Sequence, residues 1–104
     1  MRQLAIDTLP ESALEAAAAF MAEHLATARA LLAEPGTTAL AIILPPAPYD
    51  HRDGRRALAR DLAREAAPKR VNIVAGHPGD AREATLRFLA DAPGVTGQYL
   101  VCHD

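Results

Sequence analysis

One uninterrupted apolar run constrains this chain most. Residues Thr38 to Leu44 read TALAIIL, with no polar residue at alternate positions. A strand with one wet face alternates, whereas a strand covered on both faces does not. The run therefore predicts a central strand of a sheet with helices packed on it. Pro45-Pro46-Ala47-Pro48 ends it, because proline supplies no amide to a ladder. A second strand is expected at Arg70-Val71-Asn72-Ile73-Val74-Ala75 and a third at Tyr99 to Cys102. Leu4 and Ile6 fit a short edge strand or a loop equally well.

Helical signals fill the intervals. Thr8-Leu9-Pro10-Glu11 has the spacing of a capping box, which predicts a helix from Leu9 to about Ala33. Within it Leu14, Ala18, Met21, Leu25, Ala28 and Leu32 recur at spacings of four and three, as one seam. The opposite side is mainly alanine, so burial on two sides is expected. Glu34-Pro35-Gly36 stops this helix. A second helix, capped by Asp50 or Asp53, is expected from Gly54 to Ala67, burying Leu58 and Leu62 and presenting Arg52, Arg56, Arg60 and Arg64 to solvent. Asp80-Ala81-Arg82-Glu83 opens a third, which runs to about Asp91 and buries Leu86, Leu89 and Phe88.

Helices alternating with apolar strands predict a Rossmann-like α/β half domain in two or three layers. Three parallel strands in the order 1-2-3 and three main helices are expected, in a single domain over residues 1–104. Right-handed crossovers would place the second and third helices on one face, leaving the other to the first helix or a partner. An open first strand is a liability in isolation, which favours oligomerisation.

Composition narrows the function. A formal charge of -2 and a pI near 6.0 argue against nucleic-acid or anionic-membrane binding. No apolar run approaches the roughly 20 residues of a membrane span, and the N-terminal residues lack the apolar core of a signal peptide. A lone cysteine, Cys102, suits a reducing compartment. A soluble cytoplasmic protein is expected.

The closing residues carry a resemblance. Leu86 to Asp104 reads LRFLADAPGVTGQYLVCHD: a helix ending in Phe88-Leu89-Ala90, a turn through Pro93-Gly94, then Thr96-Gly97-Gln98 and a short strand. This order is similar to the last helix and strand of short-chain dehydrogenases/reductases. Leu62 to Pro68 (LAREAAP) followed by RVNIVA resembles the family's preceding helix-to-strand passage, and Thr27 to Leu32 resembles the long helix before that. The match covers most of residues 8–104 and corresponds to the family's C-terminal half.

The resemblance implies a dinucleotide-dependent fold, yet the positions that carry chemistry differ. No glycine-rich phosphate turn precedes the first helix. The family's tyrosine and the lysine four residues on fall at Tyr49 and Asp53, or at Pro48 and Arg52 when aligned through the helix. Asp53 would oppose a phenolate through like charge. The family's serine falls near Leu44 or Pro45, and its helix asparagine near Phe20. A self-sufficient dehydrogenase is not expected, and no cofactor is expected.

Two further constellations stand out. His51, His77 and His103 lie at or beyond predicted strand ends, near Asp50, Asp80, Cys102 and Asp104. Ligands gather at such ends in open parallel sheets, and these side chains suit zinc or an anion. Their spacing matches no metal motif, and solvent-exposed loop histidines are the simpler expectation. The arginine stripe is interleaved by Asp53, Asp61 and Glu65, as an ordinary solvated face would be.

The leading expectation is a non-catalytic relative of the short-chain dehydrogenases/reductases that acts by association. In that family the long helix and its successor form one subunit contact, and the last helix and strand another. The interface expected here comprises Leu14, Ala18, Met21, Leu25, Ala28 and Leu32, with Phe88 and Tyr99 at the second contact. The partner would be another copy or a related full-length reductase. A small metal- or anion-binding protein or enzyme using His51, His77 and His103 is the alternative.

Overall fold

A computed structural model describes residues 1–103 of the chain. Its elements are β1 (Arg2–Ala5), α1 (Ala13–Glu23), α2 (Leu25–Ala33), β2 (Ala39–Leu44), a 3-10 turn (Tyr49–His51), α3 (Arg52–Ala66), β3 (Arg70–Ala75), α4 (Asp80–Ala90) and β4 (Tyr99–Val101). The strands form one sheet in the order β1-β2-β3-β4, every pair parallel. The Rossmann-like α/β half domain is thus present, with four strands and four α-helices in place of three and three. The added strand is β1, paired from Arg2 opposite Leu40 to Ala5 opposite Ile43.

β2 is buried along its whole length, as its unalternating sequence requires. Leu40, Ile42 and Leu44 point to one face, where they meet Phe20, Ala28, Leu32, Ala59, Leu62, Val71 and Ile73. Ala41 and Ile43 point to the other, against Val74, Leu86 and Leu89. α1, α2 and α3 therefore share one face and α4 covers the opposite one. This corrects the expected layering, in which the second and third helices lie together. All three crossovers advance the same way across the sheet, so the one through α4 has the opposite hand to the other two. Right-handedness holds in about 98% of such units, and three units that differ in hand cannot all obey it.

The expected single long helix is two. Its start is Ala13, with Ser12 as the cap (Ser12 Oγ accepts the Glu15 amide at 3.0 Å), rather than Thr8. It breaks at His24, whose φ of -124° departs from helical geometry. The reason lies in the buried residues, Ala16, Phe20, Ala28 and Leu32, with His24 half-buried between them. Positions four apart drift by about 40° per step around a straight helix. Over sixteen residues they would leave the sheet, and the break resets the phase. At the far end the Lys69 ammonium donates to the Leu32 carbonyl, and so closes a helix terminus that would otherwise be open.

Neither of the other expected caps forms. α3 continues directly from the 3-10 turn, without a bond from Asp50 or Asp53, and α4 starts after Gly79, whose carbonyl accepts the Glu83 amide at 3.0 Å. Asp80 and Glu83 instead place negative charge in the first turn of α4, where the helix dipole favours it.

The closing motif is locked to β3. The Val71 amide donates to Thr96 Oγ1 at 3.0 Å and the Gly97 amide to the Val71 carbonyl at 2.7 Å. Asn72, 1% exposed, donates through Nδ2 to the Val95 carbonyl at 3.0 Å, while its Oδ1 accepts the Gln98 amide at 3.1 Å. Gly97 takes a φ of +73°, and a Cβ there would lie 3.4 Å from that of Ala63 on α3. The segments RVN and TGQ are two halves of one hydrogen-bonded seam.

Candidate functional site

The C-terminal ends of β1 and β2 open onto a hollow of ≈ 630 Å³ between Asp7–Glu11 and the proline-rich turn, with His51 and Arg55 at its base. Leu44 is buried in the core, and Pro45 carries no hydroxyl. Tyr49 is 82% exposed on the 3-10 turn, with the Arg52 guanidinium 6.0 Å from its ring centroid. Asp53 and Pro48 are exposed, and Phe20 is a core residue. None of these side chains forms the tyrosine–lysine pair that hydride transfer requires in the family.

Two buried polar groups at this end are structural tethers. His51 is 5% exposed and its Nε2 lies 2.7 Å from the Glu11 carbonyl, so that nitrogen carries the proton and donates. It fastens the strand-to-helix loop before α1 to the start of α3. Arg55, 6% exposed, donates to the Pro45 carbonyl at 2.9 Å and to the Tyr99 hydroxyl at 3.1 Å, and lies over the Tyr99 ring at 5.8 Å. Arg55 was not expected as a site residue, since a second arginine beside an exposed stripe carries no periodic signal of its own.

The three histidines do not converge. His77 and His103 are exposed and share a hollow of ≈ 380 Å³ with Cys102, whereas His51 faces the tethers just described. Cys102 lies just past β4, half-buried, and its thiol donates to Thr85 Oγ1 at 3.3 Å. Asp104 lies outside the described residues. Among the described residues, no group of three His, Cys, Asp or Glu side chains is placed to hold a metal ion.

The helical face is more distinctive. Between α1 and α3 lies an apolar hollow of ≈ 300 Å³ whose walls include Leu9, Leu14, Phe20 and Leu58. A second of ≈ 490 Å³ continues it between α2 and α3, past Met21, Leu25 and Leu62. Both reach Gly54 and Leu58, so they form one groove. Leu14 is 82% exposed and Met21 53% exposed on its rim. The Arg29 guanidinium, paired with the Glu65 carboxylate at 2.8 and 3.2 Å, crosses its far end.

The expected interface residues divide between rim and core. Leu14, Ala18 and Met21 are at the surface and Leu25 is half-buried, while Ala28 and Leu32 are buried between α2 and the sheet. The last two are therefore core residues of the chain, because the break at His24 turns α2 inward. Phe88, expected to be buried, is 57% exposed on α4, and Tyr99 is half-buried under Arg55. No helix among the described residues is long and apolar enough to cross a membrane.

Comparison with known proteins agrees with the architecture. The model of the family described as short chain dehydrogenase-like protein matches residues 4–102. Searches of curated proteins and of solved structures return no significant match. A match over nearly the whole chain, on a parallel sheet closed by the RVN–TGQ seam, leads to one assignment: the chain belongs to the short-chain dehydrogenase-like family.

Proposed function

We propose that this chain is a non-catalytic member of its family that works by association, pairing its helical face with that of a second copy. The carrying observation is the apolar groove between α1–α2 and α3, with Leu14 and Met21 standing exposed on its rim. Contiguous exposed apolar surface of this kind marks an interaction site. The substitutions at the catalytic positions support the non-catalytic part, since Leu44, Pro45 and Asp53 supply neither the hydroxyl nor the cation that the chemistry needs. A related reductase presenting an equivalent face would be an alternative partner. The setting proposed is the cytoplasm, in keeping with a single unpaired thiol.

Sedimentation velocity at micromolar concentration tests the proposal. A dimer or higher oligomer is expected, and Leu14→Glu with Met21→Glu should convert it to monomer without loss of helical circular dichroism. A monomeric unmodified chain would sink self-association. Titration with reduced nicotinamide cofactor, followed by its fluorescence, is expected to give no binding. The metal-site alternative has less support, because His51 is committed to the Glu11 carbonyl and only His77 and His103 share a hollow.

A further inference from the structure

The opposite side of α3 carries a feature that self-association through the helical face leaves unused. Arg52, Arg56, Arg60 and Arg64 line an open groove of ≈ 730 Å³ whose other wall is the segment from Thr96 to Val101. Among the described residues no carboxylate lines it, although Asp53, Asp61 and Glu65 are on the same helix. Arg60 approaches Asp61 at 3.6 Å, and Arg56 and Arg64 have no ion-pair partner among the described residues. The stripe is thus cationic where it faces the groove, on a chain that is net acidic.

The other wall is a free sheet edge. β4 is the last strand of the sheet. Its inward bonds are made by alternate residues, the Gln98 carbonyl accepting from Ile73 and the Cys102 amide donating to Ala75, each at 2.8 Å. By the same alternation Tyr99 and Val101 direct their amides and carbonyls outward. Val101 is 49% exposed. The helix runs alongside this edge in the opposite sense, since Gly97 lies against Ala63 and Arg60, and Tyr99 against Arg55.

We infer that this groove binds an extended acidic peptide, which adds to the edge of β4 and places acidic side chains at alternate positions against the arginines. The spacings agree. Side chains on one face of a strand recur about every 6.6 Å, and arginines four apart on a helix recur about every 6.0 Å. Main-chain bonds to Tyr99 and Val101 would provide the pairing, and the arginine stripe the choice of sequence. Arginine suits carboxylates through its planar fork of donors. The inference does not depend on the helical face, and it uses different residues.

The test is fluorescence anisotropy with a labelled eight-residue peptide in which glutamate alternates with threonine. A peptide of the same composition with its glutamates in one block, and a labelled oligothymidylate, serve as controls. The alternating peptide should bind with micromolar affinity that weakens with salt, and several-fold more tightly than either control. Arg56→Glu with Arg64→Glu should weaken it by about tenfold or more. Val101→Pro removes one outward amide while leaving the bonds to β3, and should weaken it as well. Equal binding of both peptides, or of the oligothymidylate, would reduce the groove to a generic polyanion surface and overturn the inference. Absence of binding would overturn it too. So would a finding that Val101→Pro dissolves an oligomer instead of weakening the peptide, since the edge would then belong to a second copy.

Discussion

Single polar residues fix the C-terminal part of this molecule. Asn72 uses both ends of its amide on the segment before β4, and Arg70 closes the exit from α4, with Nη1 2.9 Å from the Leu89 carbonyl and 3.0 Å from that of Ala92. Replacing Asn72 by alanine removes two bonds at a site that is 1% exposed, leaving the Gln98 amide without a partner and the Val95 carbonyl with only the long 3.4 Å contact to Arg70 Nη1. The expected cost is about 2 kcal/mol in urea denaturation, because an orphaned buried group loses its full solvation. Gly97→Ala should cost about 1–2 kcal/mol from its positive φ, with a further penalty if Ala63 cannot yield. The sequence made both motifs legible as scaffold, since RVN and TGQ could each be read. Their direct contact could not be read, because a hydrogen-bonded pair 26 residues apart leaves no periodicity. His51 was misread for a similar reason. Its burial depends on a carbonyl forty residues away, at Glu11.

Between elements, the ties differ in strength according to burial. Arg55 joins α3 to both β2's exit and β4, and it is shielded from solvent. Arg55→Met keeps the aliphatic stem but strands the Tyr99 hydroxyl, and should cost about 2 kcal/mol. Tyr99→Phe should cost about 1 kcal/mol, and a double-mutant cycle should return a coupling of about 0.5 kcal/mol or more. The Arg29–Glu65 pair joins α2 to α3 with good geometry, yet its side chains are 56% and 50% exposed. Glu65→Gln should therefore cost less than about 1 kcal/mol, and less again in high salt. Element reading succeeded where burial is symmetrical, at β2 and β3, and failed at the margins. β1 is four residues long and mostly exposed, so Leu4 and Ile6 alone fit an edge strand and a loop equally well, and pairing with β2 decides for the strand. The break at His24 has no proline or glycine to announce it. It arises because the sheet beneath demands residues four apart, and only tertiary packing expresses that demand. The side of the sheet taken by α4 was lost to the handedness rule, which is strong enough that an exception cannot be read from pattern alone.

At the scale of the whole molecule, the sheet is well covered at its centre and open at both margins. β2 and β3 have a neighbour on each side and helices on each face, whereas β1 has one neighbour and exposes Arg2, Gln3 and Ala5. α4 packs over β2 to β4, which leaves the second face of β1 bare. Local opening should therefore start at β1. In native-state hydrogen exchange the slowest amides are expected at Ile42, Ile73 and Val74, with a free energy equal to that of global unfolding. The Ile6 amide, bonded to the Ile43 carbonyl at 2.8 Å, should exchange at least about tenfold faster through detachment of β1 alone. Repeating the measurement across concentration separates two forms of the association proposal. If copies pair through the helical groove, as Leu14 and Met21 suggest, β1 should remain weakly protected when the chain is concentrated, because its outer edge and second face stay wet. If concentration instead raises the protection of β1 toward that of β3, the contact covers the sheet margin, and the groove between α1 and α3 is not the surface that the copies share.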